Sequence, residues 1–152
     1  MSNNFLKFVF AALALVLGGA LEELCPKFAG VGFPVLLAAV QFMAARRKML
    51  DMAAFAIVAG AMEDALSSLP MMTSVSYFLA VAALTRRLDV PRAAIVLTYP
   101  IYQIWLRLWV PALQGNVFSR ALVALPVGLV AAFAVGAALA WAERRAALES
   151  RE

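Results

Sequence analysis

Hydrophobic residues fall into six runs along the chain, separated by short segments that carry most of the charged and turn-forming residues. Long runs of this kind are typical of membrane-spanning helices, which need about 20 residues to cross a bilayer core. The predicted spans are residues 5–21, 30–45, 52–68, 70–85, 93–110 and 119–141. Several runs are shorter than 20 residues, so we expect thinning of the bilayer, helices extended by their flanks, or incomplete crossing, above all for the fourth run.

The composition indicates that lipid covers much of the protein. Hydrophobic residues make up 65% of the chain and charged residues 14%, whereas soluble domains contain roughly 45–50% apolar and about 25% charged residues. A chain of 152 residues forms one small domain, which in water needs a polar surface. We therefore predict an all-α integral membrane protein, in which residues 1–152 form a single compact bundle of about six transmembrane helices.

The basic residues predict the orientation of the spans. With six spans, ten of the thirteen lysines and arginines lie on one side of the membrane. These ten are Lys7, Arg46, Arg47, Lys48, Arg86, Arg87, Arg92, Arg144, Arg145 and Arg151. Because basic loops stay in the cytoplasm, we predict a multi-pass protein of the bacterial cytoplasmic (inner) membrane with both termini cytoplasmic. Membrane lipids then account for the positive charge, and nucleic acid is not expected as a partner.

Two adjacent acids, Glu63 and Asp64, interrupt the third run. At about 1.5 Å per residue they lie roughly 17–18 Å along that span, and Arg107 lies roughly 21 Å along the fifth span, which runs in the same direction. A charged residue at this depth normally has a partner, so we predict that Arg107 pairs with Asp64 or Glu63. Two alternatives remain, namely that Arg107 extends to the outer interface beside Trp105 and Trp109 or that it binds a ligand directly.

Helical spacing assigns further polar side chains to the same region. Asp64 shares a helix face with Gly60 and Ser67, while Tyr99, Gln103 and Arg107 recur at intervals of four residues. The predicted intramembrane polar centre comprises Glu63, Asp64, Ser67, Tyr77, Tyr99, Gln103 and Arg107. These groups either hydrogen-bond one another and hold the bundle together, or they bind a partner or a ligand.

Small residues recur at every fourth position of the last run. The predicted helix-packing ridge comprises Ala124, Gly128, Ala132, Gly136 and Ala140. Small residues allow helix backbones to approach closely in a membrane. The ridge packs either a neighbouring helix of this chain or a helix of a partner protein.

Catalytic and metal chemistry have little support in the sequence. The chain contains one Cys and no His, which excludes Cys/His metal sites and a base for a nucleophilic Cys or Ser. An aspartyl intramembrane hydrolase needs two carboxylates that converge from different segments. Neighbouring Glu63 and Asp64 project about 100° apart, and we expect the Glu22-Glu23 pair at the outer surface, away from them. We therefore predict no enzymatic activity, no cofactor and no metal.

The central part of the chain resembles the rod shape-determining protein MreD family. Its features are Gly32-Phe33-Pro34 opening a span, the basic loop 46–48, the segment AGAMEDALSSLP, and a basic stop at Arg86-Arg87. The resemblance covers about residues 30–90, and Asp64 falls on the family's intramembrane Asp. The chain departs from the family at Met72, where a Gly is frequent, and at Glu63, where an aliphatic residue is usual.

The resemblance implies a non-enzymatic scaffold of the bacterial cell-elongation complex, which controls cell shape and peptidoglycan synthesis. The implied partners are an MreC-like bitopic protein, a RodA-type glycosyltransferase with a class B penicillin-binding protein, and an MreB-like filament. The family's fold is similar to the substrate-binding subunits of energy-coupling-factor transporters. The alternative function is therefore a small-molecule-binding membrane subunit of a vitamin-type transporter, with Glu63, Asp64, Tyr99, Gln103 and Arg107 as its pocket.

Overall fold

The computed structural model describes residues 3–29, 34–87, 95–109 and 117–149, with side chains at 9–24, 34–87, 97–109 and 122–145. Over these residues the chain is all-helical, with six helices and no strand. The helices are α1 (Asn3–Ala29), α2 (Val35–Ala44), α3 (Met49–Leu66), α4 (Thr73–Arg87), α5 (Ile95–Trp109) and α6 (Val117–Glu149). Each predicted run therefore corresponds to one helix. The side chains of Lys7, Arg92 and Arg151, and residues Gly32 and Phe33, lie outside the described part.

The helices differ widely in length. With a rise of about 1.5 Å per residue, the 10 residues of α2 extend over roughly 15 Å and the 33 residues of α6 over roughly 50 Å. Helix α1 continues to Ala29, past the predicted end of the first span at residue 21. Glutamate and leucine are good helix formers, so the end of the apolar run at Leu21 does not end the helix.

The short helix α2 is the centre of the fold, and it contacts each of the other five helices. The remaining contacts follow the order α1, α3, α4, α5, α6 around it. Every residue of α2 except Phe42 is buried. Its polar residue, Gln41, is only 1% exposed and donates its side-chain amide to the Thr98 hydroxyl of α5. A buried amide needs such a partner, since leaving it unpaired is costly.

The outer faces of the long helices are strongly apolar. Leu13, Val16 and Leu17 of α1 are exposed, as are Val130 and Phe133 of α6. In the described part, Leu122–Arg145 is the stretch long and apolar enough to cross a membrane, and 17% of its most apolar window is buried in the fold. An exposed apolar surface of this extent indicates contact with a membrane or with other proteins.

A six-residue turn, 67–72, joins α3 to α4. The backbone amide of Ser67 donates to the Glu63 carbonyl, and the amide of Leu69 donates to the Asp64 carbonyl, so the last turn of α3 is closed. Ser68 and Met72 have φ angles of 52° and 74°. This left-handed region favours glycine, and the turn therefore places both acids of α3 beside the start of α4 at some cost in backbone strain.

Candidate functional site

Asp64 connects the end of α3 to the beginning of α4. Its side chain is only 5% exposed, and its Oδ1 accepts a hydrogen bond of 2.8 Å from the backbone amide of Ser74. Ser74 lies in the first turn of α4, where amide groups have no partner within the helix. An acceptor oxygen at this position also complements the positive end of the helix dipole. The carboxylate thus serves as a cap supplied by another helix.

Glu63 points to a second set of hydroxyl groups. It is 7% exposed, and its Oε1 accepts a bond of 3.2 Å from Ser67 and a long one of 3.5 Å from Tyr102 of α5. The Tyr102 hydroxyl lies 2.6 Å from the Ser74 hydroxyl. Asp64, Ser74, Tyr102 and Glu63 therefore form a continuous network that joins α3, α4 and α5.

Glu22 of α1 also belongs to this centre, although its sequence position did not indicate this. Its Oε2 accepts a bond of 3.0 Å from the backbone amide of Leu36 at the start of α2, and its carboxyl group also lies within hydrogen-bonding reach of Glu63. The prediction that Glu22 lies at the outer surface, away from the buried acids, is wrong. Because α1 continues past the apolar run, Glu22 faces the bundle interior. The signal that could have found it was two acids within a helix-forming sequence.

Tyr99 and Tyr77 differ in their relation to the acids. Tyr99 lies one turn before Gln103 on α5 and interacts electrostatically with Glu22 and Glu63. Tyr77 donates its hydroxyl to the Thr98 carbonyl of α5, and its ring packs against Tyr102 with a centroid separation of 5.0 Å. Tyr77 therefore ties α4 to α5 without contacting a carboxylate.

Arg107 does not join the acids. Its Nη1 donates to the Gln103 carbonyl of its own helix at 2.5 Å, and it forms no ion pair with any described residue. The predicted pair with Asp64 or Glu63 is therefore wrong. Matching depths were not sufficient, because Arg107 and Tyr102 project about 140° apart around α5 and Tyr102 is the residue that faces Glu63.

Part of the predicted ridge packs inside the chain. Ala124 and Gly128 are buried, whereas Ala132, Gly136 and Ala140 are half-buried. Gly128 and Ala132 line a cavity of about 10 Å³ together with residues of α2 and α5. A Cβ added at Gly136 would meet nothing within 4 Å. The first half of the ridge is thus an internal packing surface, and Gly136 faces open space.

A small cavity lies beside the polar centre. A cavity of about 10 Å³ has space for about one water, and Tyr99 is the residue of the polar centre that lines it. In the part of the chain that the structure describes, no three acid, Cys or His side chains converge as metal ligands. The centre is chiefly a set of hydrogen bonds between helices.

No protein-family model, curated protein or solved structure matches this chain. The fold and the site define an all-helical protein that has a buried carboxyl and hydroxyl centre and a helix suited to crossing a membrane.

Proposed function

We propose that the chain is a multi-pass protein of the bacterial inner membrane with about six spans and both termini in the cytoplasm. Contacts between basic segments support this orientation. Arg46 and Arg47, after α2, bind the Glu143 carboxylate near the end of α6 at 2.7 and 2.8 Å. Arg86, at the end of α4, donates to the Arg47 carbonyl. Three basic segments of the chain therefore meet at one end of the bundle, as the excess of positive charge in cytoplasmic loops requires.

Within that membrane protein we propose a scaffold function of the MreD type, without enzymatic activity. The proposal rests on the hydrogen bonds of the polar centre. Its hydroxyl, amide and carboxyl groups mainly bind one another and the ends of helices. A transporter subunit would direct such groups into a cavity large enough for its ligand. The buried groups thus hold the helices in place, and partner proteins bind the outer apolar faces of the helices.

The turn after α3 also supports the resemblance. Met72 has a φ of 74° at the position where the MreD family often has a Gly, and glycine is the residue that adopts this conformation most easily. Asp64, which falls on the family's intramembrane Asp, holds the start of α4 through Ser74. Asp64 and Met72, two positions compared with the family, therefore each have a physical role in the α3–α4 hairpin.

The proposed partners are an MreC-like bitopic protein and, with it, a RodA-type glycosyltransferase paired with a class B penicillin-binding protein; an MreB-like filament lies on the cytoplasmic side. A partner's transmembrane helix would pack against the exposed apolar faces of α1 or α6, which carry Leu17 and Val130 respectively. Apolar contact alone gives little specificity for a partner helix, because the surrounding lipid tails are also apolar. We therefore expect recognition to depend on close packing between the helices.

A vitamin-type transporter subunit is the second candidate. It is favoured by the buried oxygens Glu63 Oε2 and Asp64 Oδ2, for which no donor is found among the described residues. A buried acceptor without a partner in the chain can be satisfied by a ligand or by a proton.

The test is photo-crosslinking of the tagged full chain in cells, followed by purification in mild detergent. A photoreactive residue replaces Leu17 or Val130 in turn, with Met71 in the α3–α4 turn as the exposed control position. Crosslinks from either helix face to a single-pass protein or a wall synthase, absent from the control, are expected. Purification of the chain alone, with a bound small molecule detected by mass spectrometry, would favour the transporter subunit. Purification alone without any ligand would contradict both.

A further inference from the structure

Glu22 and Glu63 form a contact between two carboxyl groups from different helices. Glu22 reaches from α1 to the α2 amide of Leu36 on one side and to Glu63 of α3 on the other. Glu63 is 7% exposed, and its Oε2 is buried without a nitrogen or hydroxyl donor among the described residues. A buried carboxyl oxygen that lacks a donor can accept a proton.

The packing of α1 on α3 keeps the two acids together. A Cβ added at Gly19, one turn before Glu22, would lie 2.8 Å from Met62 Cε and 3.5 Å from Leu66 Cδ1. Met62 and Leu66 flank Glu63 on α3, so the helices approach closely at the level of the pair. This close approach of the helices keeps the two acids within reach of each other.

No described lysine or arginine forms an ion pair with Glu22 or Glu63. Among the described residues, the titratable groups that interact with the pair are Asp64 of α3 and the Tyr99 and Tyr102 hydroxyls of α5, whereas α2 contributes the Leu36 amide. In α4, Tyr77 donates to the Thr98 carbonyl, and Ser74 contacts Asp64 and Tyr102.

We propose that Glu22 and Glu63 are a proton-binding site, in which one proton is shared between the two carboxyl groups and fastens α1 to α3. Two ionised carboxylates accept hydrogen bonds only, so a hydrogen bond between them requires one proton. Like charges this close, with Glu63 buried, cannot both ionise without strong repulsion. When the proton leaves for the solvent, the repulsion acts directly across the α1–α3 contact. The pair titrates as a unit, so the proton belongs to both residues.

Infrared spectroscopy of the full chain in lipid nanodiscs tests the site, with pH as the variable and the proton as the probe. A protonated carboxylic acid gives a carbonyl band that is separate from that of a carboxylate. We expect the wild-type chain to show this band at neutral pH. In Glu22→Gln and in Glu63→Gln, the band should decrease by the intensity of one protonated acid. The glutamine amide can donate to the remaining carboxylate, which then does not need the proton. Glu23→Gln, at the next position of α1, is the control and should retain the band.

Three results of the infrared experiment would contradict the proposal. Absence of the band from the folded wild-type chain would show that no proton is held. An unchanged band in both variants would place the proton on another acid, such as Asp64. Loss in one variant alone would show that the proton is not shared.

Unfolding in mixed detergent micelles provides a second readout. The folded chain keeps a proton that the unfolded chain releases, so the folded fraction should fall as the pH rises. The equilibrium constant for unfolding should change by about tenfold per pH unit while the folded state alone holds the proton. Glu22→Gln or Glu63→Gln, whichever folds, should lack this dependence. The same dependence in a folded variant would overturn the site.

Discussion

Gly60 of α3 lies directly against the backbone of Val75 in α4. A Cβ built on Gly60 would be 2.5 Å from Val75 Cα, 2.7 Å from its nitrogen and 3.0 Å from the carbonyl carbon of Ser74. Atoms of a backbone cannot rotate out of the way as the end of a side chain can. The absence of a side chain at Gly60 therefore sets the distance between α3 and α4, and with it the reach of Asp64 to the Ser74 amide.

Gly60→Ala should destabilise the protein although alanine is the better helix former. Helix propensity favours Ala by about 1 kcal/mol, whereas overpacking typically costs about 1–3 kcal/mol, and here the contact is with backbone. We expect a net loss of about 1–2 kcal/mol in unfolding free energy, measured by circular dichroism in mixed micelles. Gly136→Ala is the matched control, since a Cβ there meets nothing within 4 Å. Equal stability of the two variants would contradict the close approach.

Replacing Asp64 separates the role of its acceptor oxygen from that of its charge. In Asp64→Ala the buried Ser74 amide loses its partner, and we expect a loss of about 1–3 kcal/mol, as for an unsatisfied buried donor. Asp64→Asn keeps an oxygen that can accept from Ser74 and should retain most of the stability. Chemical unfolding of both variants in the same detergent measures the difference. The interhelix cap would be refuted if Asn were as damaging as Ala.

The left-handed conformation at Met72 predicts a stabilising substitution. A non-glycine residue in this region costs roughly 1–2 kcal/mol, so Met72→Gly should raise the unfolding free energy by about 1 kcal/mol. Met71→Gly is the control at the neighbouring position, where Met71 is 89% exposed and does not have a positive φ. Glycine there should be neutral or destabilising because it adds freedom to the unfolded chain. Thermal unfolding of the two variants and the wild type gives the comparison.

The sequence predicted the six helices well because long apolar runs and basic ends are local signals. It also placed Glu63, Asp64 and Ser67 in one region, since helical spacing relates residues of the same helix. The Glu22–Glu63 contact and the absence of an Arg107 pair depend instead on how helices rotate and pack against each other. That information is not local, and matching residues by depth along a span leaves the rotation of each helix undetermined. Tyr102 and Ser74 were missed for the same reason.

At the basic end of the bundle, Glu143 of α6 binds both Arg46 and Arg47, at 2.7 and 2.8 Å. Glu143→Gln removes the one carboxylate shared by two adjacent cations, which then repel each other. The pairs are partly exposed, so we expect a loss of about 1 kcal/mol, which should shrink in high salt because screening weakens both attraction and repulsion. Arg144→Gln is the control, since Arg144 is exposed and has no ion pair with a described residue. Unfolding at low and high ionic strength tests the prediction, and a loss that does not depend on salt would show that Glu143 acts through packing rather than through charge.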